Sequence, residues 1–391
     1  MPDLSPPLYA SISQLVRIRA IFAALAFFVC LSVAPSTLAL TYTVTTNADS
    51  GAGSLRAAIA SANSTADNDT IEFAIPAGSA GCASGVCTIT LTSGELAIND
   101  AATAGTLTIT NLTGASNLLI SGNNASRVFY LNPDANLTLN AVTITKGNGT
   151  GTSSNGGGIY NNQGTLTLTN STVSGNSTAF GGGILSDGGT LTLTNSTVSG
   201  NTASNRGAGI YSLSTTTLTN STVSGNTSVS FGGGIFSLST TTLTNSTVSG
   251  NRTSIDDGGG IFILQGTTAL TNSTVSGNTA DRHGGGIYNG GTLSLTNSTV
   301  SGNSANNNGG GIFNNNTGTF NLTSVTVAFN TANTGGGVSN LGNTATLLNT
   351  IVAKNTAGSP DFEGAVAAGS SFNLIGNGQG TTGITNGTDS N

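Results

Sequence analysis

The sequence predicts an all-β fold: a single-stranded parallel β-helix with three sides, about 25 residues per coil and a short helix capping its N-terminal end. Three observations predict it. Between Gly156 and Asn355 one unit restarts eight times, as GGGIY, a spacer, TLTLTN and STVSGN. The residue closing the glycine motif is Ile159, Ile184, Ile210, Ile235, Ile261, Ile287, Ile312 and then Val338, at intervals of 25 or 26 residues. Inside each unit polar and apolar residues alternate with the period of a strand, as in Thr165-Leu166-Thr167-Leu168-Thr169. Composition agrees: only 6% of residues are charged and 57 are glycine, which is unlike a compact globule, yet 36% are hydrophobic and fall in register, which is unlike a disordered chain.

Residues 1–39 read as an export leader. Arg17 and Arg19 precede an apolar run, Ala20 to Val33, followed by Pro35 and a small-residue cleavage site ending at Ala39. The run is short for a membrane span, an uncleaved anchor being the alternative, and no later stretch is long enough to span. Residues 40–150 read as a cap and irregular coils. Strands are expected at 41–46, 70–75, 88–91, 106–110, 118–121, 127–131 and 137–145. Ser54 caps a helix running to about Ala62, with Leu55, Ala58, Ile59 and Ala62 on one face to cover the open end of the stack. In an exported chain Cys82 and Cys87 are placed to form a disulfide; the alternative is two buried thiols, and with one distant histidine they fall short of four metal ligands.

Residues 151–355 carry the regular repeats. Three strands per coil are expected: Gly158-Ile159-Tyr160, Thr165–Thr169 and Ser171-Thr172-Val173, with Ile159, Leu166, Leu168 and Val173 inward. Like residues then stack at about 4.8 Å, in a valine column from Val173 to Val327 and a leucine column from Leu168 to Leu347. Two asparagine columns, one from Asn170 to Asn349 and one from Asn176 to Asn355, suit corners, through left-handed backbone or a ladder of amides. That structural role accounts for the Asn-Ser-Thr sequons without glycosylation. Triple glycine allows a sharp bend. Residues 356–391 read as a degenerate last coil and tail.

Two segments carry resemblances, together covering nearly all of residues 41–375. The opening TVTTNADSGAGSLRAAIASAN, followed by DNDTIEFAIP, resembles the CSLREA-type leader of exported bacterial β-helix proteins, with Gly53 and Ala57 where that motif has cysteine and glutamate. The repeats resemble those of chlamydial polymorphic outer membrane proteins, keeping GGGI but having VSGN in place of most FxxN turns. The resemblance implies a pectin-lyase-like right-handed β-helix at or released from the cell surface, serving adhesion or display. The polymorphic proteins carry a C-terminal transmembrane barrel, and nothing in this sequence reads as such strands.

The spacer holds the candidate site. Aligned by coil, Asp256 neighbours Arg282 and Asp257 neighbours His283, the one histidine. Asp256-Asp257 and His283-Gly284 echo two motifs of polygalacturonases, whose Asn-Thr-Asp and Arg-Ile-Lys motifs are absent here. Paired carboxylates would suit glycoside hydrolysis, and a calcium-dependent lyase would need acidic oxygens beside a base; the alternative is a solvated loop pair of little worth. The outward threonines, Thr167, Thr192, Thr217 and Thr242 in one column and Thr169 to Thr296 in another, resemble ice-binding β-solenoids, or are ordinary strand surface. Tyr160, Tyr211, Phe236, Phe262, Tyr288 and Phe313 form an aromatic stripe that either stacks on sugars or packs beneath the spacers. A net charge of −6 argues against nucleic acid, and no cofactor is implied. The expected function is that of an exported structural or adhesin-like protein with a glycan or cell-surface partner. A pectate lyase or polygalacturonase-type enzyme, or an ice-binding solenoid, is the alternative.

Overall fold

Alternating threonine and leucine bury one face only as a strand, and one coil's apolar edge is covered only by the next coil. The computed structural model describes residues 39–65, 67–99, 105–112, 117–149, 154–355 and 360–383. It forms an all-β, right-handed parallel β-helix of about 13 turns with about 25 residues per coil. The valine column from Val173 to Val327 and the leucine column from Leu168 to Leu347 are at most 1% exposed. Coil pairs with coil in parallel register, Leu168 against Leu193 and Val173 against Val198. Among the described residues the one antiparallel pair is Cys82–Ala83 with Val86–Thr90. That hairpin joins Cys82 to Cys87 as a disulfide. The leader, residues 1–38, and the tail from 384 on lie outside the described residues.

The sides of the coil are assigned differently from the sequence expectation. A regular coil has four strands, here Ile159–Asn162, Thr165–Thr169, Thr172–Ser174 and Ser177–Phe180. Among the described residues they fall into three sheets of 23, 13 and 6 strands. The first two strands belong to one sheet, because they fuse into a single strand, Val338–Leu348, in a late coil. The third side comes from the spacer, in strands such as Thr202–Arg206 and Thr279–Ala280. Its inward residues are small and chemically mixed: Ala203, Ser228, Thr253, Ala280 and Ala305, each under 5% exposed. They leave no hydrophobic alternation for a sequence pattern to register. The predicted strand 137–145 is also two, Asn136–Asn140 and Thr143–Thr145, broken at Ala141 with φ of 55°.

The two asparagine columns do different work. The column from Asn170 to Asn297, with Asn349, holds φ between 49° and 51° and faces solvent at a corner. The column from Asn176 to Asn355 does not use left-handed backbone. Its amides are stacked beneath the next corner, each Nδ2 donating to the next Oδ1 at 2.9 Å. Asp361 ends the ladder, accepting from Asn355 Nδ2 at 2.9 Å. The left-handed position before this column is glycine in six coils, then Phe329 with φ of 60° and Lys354 with φ of 58°.

Helix α1, Leu55–Ala62, covers the N-terminal end. Ser54 accepts from Ala57 N at 3.2 Å, and Leu55, Ala58, Ile59 and Ala62 are buried. Asp49 ties the cap together by accepting from Arg56, Thr92 and Ser93. Burial alone would raise its pKa; those bonds and the Arg56 charge outweigh it and hold the carboxyl at about 2.

One inward column changes chemistry mid-stack. Leu166 and Leu191 give way to Thr216, Thr241 and Thr268, all at 0% exposure. Ser212 and Ser237 lie 2.8 and 2.9 Å from the hydroxyls of Thr216 and Thr241. The corresponding residue in the next coil is Ile263, and the Thr268 hydroxyl has no partner. Thr268→Val, which keeps the shape and removes an unpaired buried hydroxyl, is expected to stabilise the chain by ~1 kcal/mol. Chemical denaturation of variant and parent measures this, and an equal or lower midpoint contradicts it.

Candidate functional site

The spacer strand ends beside the triple glycine, so its last residues lie over the side chain that follows the inward isoleucine. Those side chains form a ladder. Tyr211 and Phe236 stack with centroids 4.8 Å apart, Phe236 and Phe262 at 5.3 Å, and Phe262 and Tyr288 at 4.5 Å. Spacer residues roof it: Phe231 packs on Phe262 at 4.7 Å, Arg206 lies 5.3 Å from the Phe231 centroid, and His283 stacks on Phe313 at 4.7 Å. Phe236, Phe262 and Phe313 are buried, and Tyr211 and Tyr288 half-buried. The stripe packs beneath the spacers, and the central rings have both faces taken by neighbours.

The four candidate residues come together on two adjacent coils, as their alignment predicts. Arg282 Nη1 is 3.4 Å from Asp256 Oδ1 across a half-exposed edge, a pair of small energetic worth in water. Asp257 departs from the solvated-pair expectation, being 6% exposed. Its Oδ1 accepts from the backbone N–H of His283 at 3.0 Å, so the two side chains are not joined as acid and base. Burial raises the Asp257 carboxyl to about 6 against the opposing pull of Arg282 and the His283 amide, while Asp256 adds to the rise. Burial, with Arg282, lowers the His283 imidazole, whose Nδ1 is buried without a partner. Burial and then Asp257 raise Tyr288. The sequence reading missed this desolvation because the carboxyl turns inward to the His283 backbone amide, near Tyr288 of the next coil, a direction that spacing along the chain does not give.

The Asp257 carboxyl holds its proton more tightly in the folded chain than at its ordinary 3.8. Its contribution to stability is therefore full below that value and is lost as pH climbs to about 6. Asp257→Asn keeps an oxygen for the His283 amide and removes the loss. The variant is expected to gain on the parent through this window and to lead by roughly 3 kcal/mol at neutral pH. His283, lowered from 6.5, works the other way, adding stability as pH rises toward that value. The difference between variant and parent melting curves across the window isolates the carboxyl; a difference constant with pH contradicts the assignment.

Among the described residues no three His, Cys, Asp or Glu side chains converge as metal ligands, and no helix is long and apolar enough to cross a membrane. Fold and site together define a right-handed parallel β-helix protein whose charged cluster sits on its spacer side. Residues 109–297 match the model of the family described as "Right handed beta helix region". No curated protein matches the chain. Among solved structures it is similar to one described as "Crystal structure of pectate lyase Pel9A", at 16% identity and a TM-score of 0.43, covering 90% of this chain and 82% of that one.

Proposed function

We propose that this chain is an exported, non-catalytic β-helix scaffold, at the cell surface or released from it, whose polar flanks engage a glycan or another cell-surface partner. The observation that carries the reading is uniformity. From Ile159 to Ile312 four outward columns repeat unchanged from coil to coil, the threonines from Thr169 to Thr296 and Thr172 to Thr299, the serines from Ser174 to Ser301 and the asparagines from Asn170 to Asn297. Repetition of one surface suits adhesion or display, whereas a catalytic centre requires a coil unlike its neighbours. The reading of residues 1–39 as an export leader cleaved after Ala39, and the resemblance of the opening to CSLREA-type leaders, support the location. Mass spectrometry of the exported protein should find a mature N-terminus at Leu40.

Binding of the purified chain to a glycan array and to intact cells tests the scaffold reading. Binding that survives Tyr288→Ala supports contact through the polar flanks, and binding lost in that variant moves the contact to the aromatic stripe. Absence of binding to any glycan or cell surface removes the proposal.

A polysaccharide-active enzyme is the second reading, favoured by the buried Asp257 beside His283-Gly284. Incubation with polygalacturonate, with and without calcium, decides it. Turnover that collapses in Asp257→Asn would replace the scaffold reading; no turnover, or turnover untouched by the substitution, would eliminate the enzyme.

A further inference from the structure

The outer face of the Thr165–Thr169 strand and its copies is an ordered surface up to five residues wide, against three on the neighbouring sheet of Thr172–Ser174 and its copies. Registers run without a shift from Asn136–Asn140 through seven successive pairings to Thr319–Thr323. Register shifts occur elsewhere, in the spacer sheet and at the fused strand. Three outward columns start at Thr165, Thr167 and Thr169. The last is threonine in every coil to Thr323, and the middle one is threonine to Thr242 before Ala269, Ser294 and Asn321. No outward position on this face is charged.

The hydroxyls of this face are unspent. Apart from a 3.4 Å contact between Thr319 and Thr292, none of the threonines in these columns has a hydroxyl partner in the described protein. The corner serines beside them do, Ser196 and Ser221 donating to the carbonyls of Thr194 and Thr219. Outside that one pair, hydroxyls about 4.8 Å apart along a column are too distant to bond one another, which requires about 2.8 Å. Each therefore takes its partner from outside, and β-branching limits the directions it can point. The partners inherit the repeat, about 4.8 Å by roughly 6.7 Å. A protein partner would find no opposite charge and no large apolar anchor on this face. A crystal of water repeats in two dimensions, as the face does, and supplies a donor or acceptor at every site.

We propose that this threonine face binds ice. The inference goes beyond the scaffold reading and concerns a face away from the charged spacer cluster. Thermal hysteresis of the parent chain reads this idea and glycan or cell binding of the parent chain reads the other, so each has its own failing result.

The test is thermal hysteresis and ice-crystal shape with the full chain. Faceted crystals and a measurable hysteresis gap are expected. Thr217→Lys, in the middle of the unbroken block, should reduce the gap several-fold with circular dichroism and melting unchanged. Ala269→Thr, which lengthens the middle column's threonine run by one coil, should enlarge it, a gain that misfolding cannot mimic. Thr222→Lys, on the 13-stranded sheet, should leave it unaltered. No hysteresis in the parent chain, or hysteresis indifferent to Thr217→Lys and Ala269→Thr, overturns the proposal.

Discussion

Asn226→Ala is expected to destabilise the stack by ~4 kcal/mol, several times the cost of the same change six residues earlier. Asn226 Nδ2 donates to Val198 O at 3.0 Å and to Asn251 Oδ1 at 2.9 Å. Its own Oδ1 accepts from the backbone and the side chain of Asn201, at 3.0 and 2.9 Å. All of this is at 0% exposure for Asn226. Truncation takes its side-chain acceptor from the Asn201 backbone N–H and one of two partners from Asn201 Nδ2 and from Asn251 Oδ1; a buried group left unpaired costs about 1–3 kcal/mol, and the emptied volume adds to it. Asn220 has an exposed side chain and φ of 50°. Asn220→Ala loses little beyond tolerance of that conformation, ~1 kcal/mol. Denaturant unfolding followed by circular dichroism measures both. Because coils couple only to neighbours, the Asn226 variant should also unfold in two steps, as two half-stacks parted at the damaged coil. Equal losses for the two variants would remove the ladder from the account of stability.

Gly234→Ala carries the second large expected effect. A Cβ there would sit 2.6 Å from Gly260 O and 2.9 Å from Asn251 Nδ2, in the next coil. Backbone conformation is not the obstacle, since Gly234 does not have positive φ. The obstacle is the fixed spacing of about 4.8 Å between coils, which every other ladder bond enforces. A methyl group must wedge two coils apart at one corner, an overpacking cost of ~3 kcal/mol. Gly225→Ala is the control: φ is +63°, but nothing lies within 4 Å of the added carbon. That change costs ~1 kcal/mol, from conformation alone. A larger loss at Gly225 than at Gly234 would mean that bending, rather than close approach of coils, is the reason for the glycine motif.

This contrast separates what a one-dimensional pattern encodes from what it hides. The glycine motif reads as a sharp bend, and bending is half of it: Gly232 has φ of +66°. The remainder is contact across coils, which no residue's neighbours in the chain reveal. The candidate site divides the same way. Coil alignment placed Asp257 beside His283 and Asp256 beside Arg282. It did not show that the first contact is carboxylate to backbone amide, nor that the carboxyl is desolvated, because both depend on which way the side chain turns between coils.

By itself the sequence determined the solenoid, its period, its inward columns and its capping helix. Each depends on spacing along the chain, and a 25-residue repeat of strand-period alternation has one economical way to bury its leucines. Only the tertiary structure decided that the spacer supplies the third side, and that of two asparagine columns one turns the chain while the other locks coil to coil. It also decided that Asp257 leaves water. These depend on the direction each side chain takes once coils lie about 4.8 Å apart, and identical letters in a sequence carry no direction.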